Sequence, residues 1–556
     1  MKKAFFLTLT VFFVCCSTFD RMKKKSIGLL NDPIDFWSHK DYISDNVYGI
    51  SLEKWHNENI DKINNEVIVA VLDTQIDLNH EDLEGQLWIN KSEIPNNNID
   101  DDSNGYIDDI NGWNFVGKPD GGYFIYGNFE YTRIIQKWDN IFKNKEKEDI
   151  SKELYDVFEE YNYAKSYSEY YLSYYNNWRK SLSYKIETYP LAKDTLRYFF
   201  PNENYTLKDL DSLYQLYKTN DKSYRERVDN NDKDLGALID CMIVCYEQND
   251  KNLNDIIHTR IQMDSIIMQN LNIDFDDRKF IRDNPNILEK GYGNNIVNSF
   301  KDLQYHSTEV SSIIAANRKN DKGTKGFHDN IKIMPLSISV SGDEHDKDIA
   351  MAIYYAVDNG AKIINMSFGK EFSLNKIWVT NALKYAEDKN VLIVHCSGNL
   401  KKDIDKYSYY PDDYNYKEEK EVVDNFINVG SVSKREDSTM VTSFSNYGKN
   451  NVDIFAPGEE IYVAIPDNKY KYDSGTSLAA PMVSGTSALI WLYYPNLTVA
   501  EVKNIILESG VTVDKMVIKP GTKDEMVHFS ELCKTGKILN TYNAMKMAEE
   551  VSKRKK

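Results

Sequence analysis

The sequence predicts an α/β fold, a doubly wound parallel sheet flanked by helices and interrupted by a large helical insertion. Three observations carry that prediction. Val67–Leu72, Ala361–Ser367 and Val391–Val394 are short, nearly continuous apolar runs, the pattern of strands buried on both faces. Helical patterns lie between such runs, as at Asp348–Asp358, with Gly360 as its stop, and at Ile377–Asp388. Between Val116 and Asn298 the texture changes: roughly half of the chain's 39 Tyr fall there, among Lys, Glu, Asp and Asn, and β-branched runs are scarce. In a sheet of this class a ligand site is expected at the carboxyl ends of the strands.

In chain order, Lys2 and Lys3 precede an apolar stretch, Ala4–Cys16, that falls short of the roughly 20 residues of a membrane-spanning helix. It suits the hydrophobic core of an export signal, residues 1–16. Its end, Val14-Cys15-Cys16-Ser17, is similar to a lipoprotein cleavage site, with Cys16 or Cys15 as the lipidated residue. Cleavage without lipid and an uncleaved hydrophobic anchor are the alternatives. Residues 17–64, with Trp37 and Trp55, read as an arm packed on the domain that follows. That domain takes 65–115 and 299–548. The insertion, 116–298, is bounded by Gly-rich joints at Gly117–Gly122 and Gly291–Gly293. Within it Leu154, Phe158, Tyr161, Tyr171, Tyr175 and Trp178 recur at helical spacing, as do Leu238, Cys241, Cys245, Ile257, Ile261, Ile267 and Leu271 with a break near Asn249 and Asp250. The tyrosine stripe reads as helix packing with solvated hydroxyls, an exosite or partner surface being the alternative. Residues 549–556 form a basic, solvated tail.

Composition excludes some classes. The chain has 556 residues, 41% hydrophobic and 28% charged, which supports a sizeable core. Its 68 basic and 86 acidic residues give a net charge of −18, which argues against a nucleic-acid partner. Six Cys, two of them within the first sixteen residues, rule out a disulfide-built scaffold. Cys241 and Cys245 lack further ligands nearby and read as buried thiols.

Three segments share one chemical logic. Val69-Ala70-Val71-Leu72-Asp73-Thr74 is a strand ending in a carboxylate, and His306-Ser307-Thr308-Glu309-Val310 opens a helix. In Ser474-Gly475-Thr476-Ser477-Leu478-Ala479-Ala480-Pro481 small residues surround a Ser ahead of a helical run. A nucleophilic Ser needs a base on its hydroxyl and a buried carboxylate to hold that base in the right tautomer. A helix start aims amide dipoles at an oxyanion.

These segments, in the order Asp, His, Ser, resemble the subtilisin-like serine proteases, the subtilases. The resemblance implies Asp73 as the orienting carboxylate, His306 as general base and Ser477 as nucleophile. Val394-His395-Cys396-Ser397-Gly398-Asn399 is similar to the segment supplying the oxyanion Asn, here Asn399. Asn365-Met366-Ser367-Phe368-Gly369 is similar to the strand that pairs with substrate. It implies Ser367, Phe368, Gly369, Ser397 and Gly398 as substrate-binding residues, and Val452–Gly458 is similar to the stretch preceding the nucleophile. The insertion then lies between the catalytic Asp and His. His395 reads as a wall residue and Cys396 as core. Gln75, Ser307 and Ser312 depart from the family's Gly, Glu309 from a second His and Met482 from another His; Gln75 is the departure that most threatens the local backbone.

Asp100-Asp101-Asp102-Ser103-Asn104-Gly105 through Asp109 partly fits a calcium loop, with Asp100, Asp102, Asn104 and Asp108 as candidate ligands and Asn111 where a bidentate Glu is expected. An acidic turn capped by its own Asn and Asp side chains is the alternative. Trp88–Phe115 resembles an extension in subtilases of Bacteroidetes-like bacteria. The resemblance also implies a calcium site at Asp82 with the loop near Asn320. Calcium would be structural; no cofactor is expected in catalysis. The sequence thus reads as an exported endopeptidase of proteins or peptides, lipid-anchored to a membrane or secreted, whose insertion restricts substrates or binds a partner. The alternative is a catalytically weakened binding or scaffold protein on the same fold.

Overall fold

The structure, a computed structural model, describes residues 36–555 apart from 60–62, 64, 251 and 416; the signal segment read at 1–16 lies outside the described residues. The chain divides into two compact units, one drawn from residues up to Glu130 and from Asp277 onwards, the other Tyr131–Asp276.

The first unit is built on nine strands: β1 (Val67–Asp73), β2 (Trp113–Asn114), β3 (Ile331–Ser337), β4 (Ile363–Met366), β5 (Leu392–Cys396), β6 (Phe426–Val432), β7 (Ile454–Pro457), β8 (Val511–Thr512) and β9 (Lys537–Ile538). Their order across the sheet is β8-β9-β7-β6-β5-β4-β1-β3-β2. Every pair is parallel except β8 with β9. After β3 takes one side of β1, the chain crosses to the other side for β4 and continues outward to β7. The order therefore reverses at β1, and a crevice is expected at its carboxyl end, where Asp73 stands.

Alternation along β1 explains why the run is apolar throughout. Val67, Val69 and Val71 face a core shared with the helices Tyr305–Ala315 and Thr476–Tyr493, while Ala70 and Leu72 face one shared with Asp346–Asp358 and Lys376–Asp388. With helices on both faces, neither set of side chains can be polar. Trp37, Ile50, Leu52 and Trp55 of the arm are buried in the first of these cores. Hydrogen bonds fasten the arm, among them one from Trp37 Nε1 to the Glu459 carbonyl at 3.1 Å and one from the Thr541 amide to the Ile50 carbonyl at 2.7 Å. At the other end, helix Thr541–Arg554 runs through most of the segment read as a solvated tail. Lys553 pairs there with Glu549 one turn back at 2.6 Å.

The second unit is helical, dominated by the 42-residue helix Tyr155–Leu196, against which Leu235–Glu247 and Leu253–Ser265 pack. Phe158, Tyr161 and Tyr175 are buried on its face. Tyrosine hydroxyls find protein partners here: Tyr161 donates to Asp139 at 2.8 Å and Tyr184 to the Asp232 carbonyl at 2.6 Å. Cys241 and Cys245 are buried free thiols.

The insertion is shorter than the sequence suggests, because residues 116–130 and 277–298 belong to the first unit. The Gly-rich joints misled for a physical reason. A Cβ on Gly117 would lie 2.4 Å from the Asn294 side chain, and one on Gly293, at φ +86°, 2.2 Å from the Asn114 carbonyl oxygen. These glycines permit close packing inside the first unit and do not mark hinges. Among the described residues no helix is long and apolar enough to cross a membrane.

Candidate active site

Asp73 is the last residue of β1 and is buried. His306 is the second residue of helix Tyr305–Ala315, which packs beside β1. Its Nδ1 lies 2.8 and 2.9 Å from the two carboxylate oxygens of Asp73. The Thr74 amide donates a further bond of 2.7 Å to Asp73 Oδ1. Burial opposes charge on the imidazole, but the adjoining Asp73 carboxylate outweighs it, with Glu309 and Asp473 adding, and holds His306 up at about 9.

The sequence departures surround this pair. Gln75, in place of Gly, has no positive φ. Its buried side chain donates from Nε2 to Ser299 Oγ at 2.9 Å and accepts the Phe300 amide at 2.9 Å on Oε1, pinning the segment that leads into His306. Ser312 Oγ donates to the Glu309 carbonyl at 2.7 Å and accepts from the Ala464 amide at 3.1 Å. Met482 is core. Glu309, one turn beyond His306, meets Lys471 Nζ at 2.7 Å, and the same ammonium reaches Asp473 at 2.6 Å. One ammonium serves two buried carboxylates, so burial and then the Asp473 charge push Glu309 up to about 8, against Lys471 and His306. Lys471 and Asp473 belong to the hairpin Ile461–Ile465/Lys469–Asp473, which sequence reading did not find. Its outward signal is the alternation Lys469-Tyr470-Lys471-Tyr472-Asp473.

Ser477 is the second residue of the helix Thr476–Tyr493. Four residues on stands Pro481, which has no N–H to give the Ser477 carbonyl. Ser367 Oγ takes up that carbonyl at 2.8 Å and itself accepts from Asn365 Nδ2 at 2.9 Å. Asn365 Oδ1 accepts from Ser484 Oγ at 2.8 Å, so the end of β4 is tied to the helix twice. On the other side, Asn399 Oδ1 accepts both the amide and the hydroxyl of Thr476 at 2.9 Å. That orients the Asn399 amide and leaves its Nδ2 group facing away from Thr476. Ser477 Oγ and Asn399 Nδ2 flank the same point: a Cβ on Gly475 would lie 2.9 Å from the first and 3.6 Å from the second. The Ser477 amide, in the first turn, has no intrahelical partner, as helix geometry requires.

The remaining substrate-binding candidates divide. Gly369 and Gly398 lie on the segments that follow β4 and β5. Phe368 buries its ring in the second core, and its carbonyl accepts from His395 Nε2 at 2.7 Å. Ser397 is buried, with Oγ 3.3 Å from the Asn446 carbonyl. His395 is held down at about 4 by burial and the Cys396 thiol is pushed up to about 12 by the same cause, so neither is poised to exchange protons near neutrality.

The subtilase family matches residues 64–531, most of the chain and the whole of this site. The chain belongs to that family. Its subtilase relatives include a thermophilic serine proteinase of Bacillus sp. (strain AK1), 36% identical over 190 residues, which are 34% of this chain and 43% of that protein. The cell wall-associated protease of Bacillus subtilis (strain 168) is 37% identical over 222 residues, 39% of this chain and 23% of that protein. The chain thus spans under half the length of these two relatives. Among solved structures, the prenylagaramide maturation protease PagA matches at 27% identity and TM-score 0.36, covering 44% of this chain and 82% of that one.

Of the predicted calcium ligands, Asp100 and Asp102 come together, joined by Glu93, which the sequence reading missed. Asp108 points elsewhere, accepting the Asn97 and Asn98 amides at 3.1 and 2.9 Å. Asn104 spends its Nδ2 on Asp102 and Asp109 at 3.3 and 2.9 Å. Asp82 and Asn320 do meet, but directly: Asn320 Nδ2 donates to Asp82 Oδ1 at 2.7 Å and the Thr324 amide to Oδ2 at 2.8 Å. Each Asp82 oxygen thus accepts an N–H, as do the oxygens of Glu93, Asp100 and Asp102; what sets the Glu93 group apart is that its three carboxylates offer ligand atoms within 4.8 Å of one another.

Proposed function

We propose that the chain is an exported serine endopeptidase in which Asp73, His306 and Ser477 act as one catalytic unit and Asn399 stabilises the oxyanion. The observation that carries this reading is the Asp73–His306 hydrogen bond, with His306 on a helix that packs against the one whose first turn presents Ser477 with the Asn399 amide. His306 takes the Ser477 proton as Oγ attacks a peptide carbonyl, and Asp73 favours the imidazolium that forms. The proton then passes to the leaving amine, and water repeats the sequence on the acyl-enzyme. The raised His306 pKa acts in the right direction, since it stabilises the charge created in the transition state. The Ser477 amide and Asn399 Nδ2 receive the developing negative charge, and the dipole of an 18-residue helix adds to them.

Asn399→Ala tests the oxyanion role separately from the nucleophile. It should lower kcat on a peptide substrate by a factor on the order of 10²–10³, the magnitude known for the equivalent Asn in subtilisin, with KM nearly unchanged. Unchanged kcat would remove Asn399 from the mechanism.

Export is supported by Lys2, Lys3 and the apolar Ala4–Cys16. Structural calcium, where bound, would be held by Glu93, Asp100 and Asp102, whose carboxylates supply the hard oxygen ligands it needs. Adding EDTA should then lower Tm by several degrees, and replacing Asp100 and Asp102 by Asn should abolish that response. A Tm indifferent to EDTA would leave the acidic turn as a hydrogen-bonded loop alone.

A further inference from the structure

For Ser477 to attack a peptide bond, the carbonyl carbon must sit at Oγ with its oxygen toward Asn399 Nδ2. The side chain belonging to that carbonyl must then project beside the nucleophile, into the gap between the segments that follow β4 and β5. Ser367 and Asn399 fix those two segments to either side of Ser477. Gly369 and Gly398 form the facing walls of the gap.

The gap is filled. A Cβ on Gly369 would lie 2.4 to 2.7 Å from Cε1, Cζ and Oη of Tyr409, and one on Gly398 would lie 2.6 and 2.8 Å from Cζ and Cε1 of the same ring. One edge of one aromatic ring therefore rests on both glycine Cα atoms. Tyr409 is 3% exposed. Its position is set by the backbone as well as by its rotamer, because the Lys370 amide donates to the Tyr410 carbonyl at 2.9 Å and the Tyr410 amide returns a bond of 2.7 Å to Lys370. Swinging the ring out would break this pairing or expose a buried aromatic. The two glycines are thus required by the tyrosine, and the room they leave is not available to a substrate side chain.

We propose that Tyr409 is the specificity-determining residue of this peptidase and restricts cleavage to bonds that follow Gly or Ala. The proposal rests on the peptidase reading above and adds its substrate class. A methyl group or a hydrogen fits against the ring edge; a Leu, Phe or Lys side chain collides with it, so discrimination works by exclusion.

The test profiles the purified full chain on a peptide library varied only at the residue before the scissile bond, with fluorophosphonate labelling of Ser477 measured on the same sample. Wild type should favour Gly and Ala over Leu and Phe by a factor on the order of 100 in kcat/KM. Tyr409→Gly should raise the Phe and Leu values about tenfold or more while the Ala value stays within a few-fold. Tyr409→Phe keeps the ring edge and should keep the wild-type preference; it also serves if the glycine variant does not fold. Labelled wild type that cleaves after Phe or Leu as readily as after Ala would overturn the role of Tyr409 and leave the peptidase reading intact. Wild type that is neither labelled nor active would overturn that reading, and the specificity with it.

Discussion

Ser477→Ala should reduce kcat for peptide hydrolysis by a factor on the order of 10⁶, the loss found for the same deletion in subtilisin. Acylation needs a nucleophile at this position, and the fold offers no substitute. Two neighbouring hydroxyls, Thr476 Oγ1 and Ser367 Oγ, are committed as donors to Asn399 and to the Ser477 carbonyl at 2.9 and 2.8 Å. The thiol of Cys396 is buried and protonated near neutrality. The substitution removes one partly exposed oxygen that no helix contact uses, so Tm should stay within a degree or two. Residual turnover above the uncatalysed rate, from the oxyanion donors and substrate binding, is expected. Casein cleavage at the wild-type rate by the folded variant would place the nucleophile elsewhere.

Asp73→Asn should cost about 10⁴ in kcat, the loss seen for the corresponding change in another serine protease, because an amide can donate to Nδ1 and fix the wrong tautomer. Its second signature is in the pH profile. In wild type, His306 is held at about 9, so kcat/KM should still be rising through the mildly alkaline range as the imidazole loses its proton. Removing the carboxylate removes the first stabilising partner of the imidazolium, and the acid limb should move to lower pH. Stability follows the same linkage. A histidine raised in the folded state above its ordinary value of about 6.5 contributes fully below that pH, and the contribution fades as pH rises through about 9. It amounts to at most about 3 kcal/mol. Asp73→Asn should therefore lower Tm more at pH 6 than at pH 10. An acid limb that stays put in the variant would mean that Asp73 does not set the basicity of His306.

How far the sequence could be read depends on the kind of interaction that fixes each element. β1, β4 and β5 announce themselves because burial on both faces forces continuous apolar runs. Asp73, His306 and Ser477 were legible as candidates because a carboxylate, an imidazole and a hydroxyl stand at the ends of such elements in short, distinctive surroundings. β2 is two residues held by backbone pairing with β3, which leaves little trace in side-chain type. The limits of the helical unit were hidden because Gly117 and Gly293 look like joints and serve close packing. Gln75 looked like a threat to the local backbone because the family has Gly there; its negative φ and its bonds to Ser299 and Phe300 depend on residues more than 220 positions away. Tyr409 was invisible for a similar reason. In a chain with 39 tyrosines, nothing local distinguishes the one that lies against two glycines from the segments after β4 and β5.

Catalysis by this site depends most directly on the reactivity of one hydroxyl. Folded, full-length protein should be incubated with a fluorophosphonate probe and the modified peptide located by mass spectrometry. The expected result is near-stoichiometric label on Ser477, strongly slowed in His306→Ala and absent in Ser477→Ala. Protein that is demonstrably folded yet takes up no label, or takes it up on a different residue at the same rate with His306 removed, would contradict it.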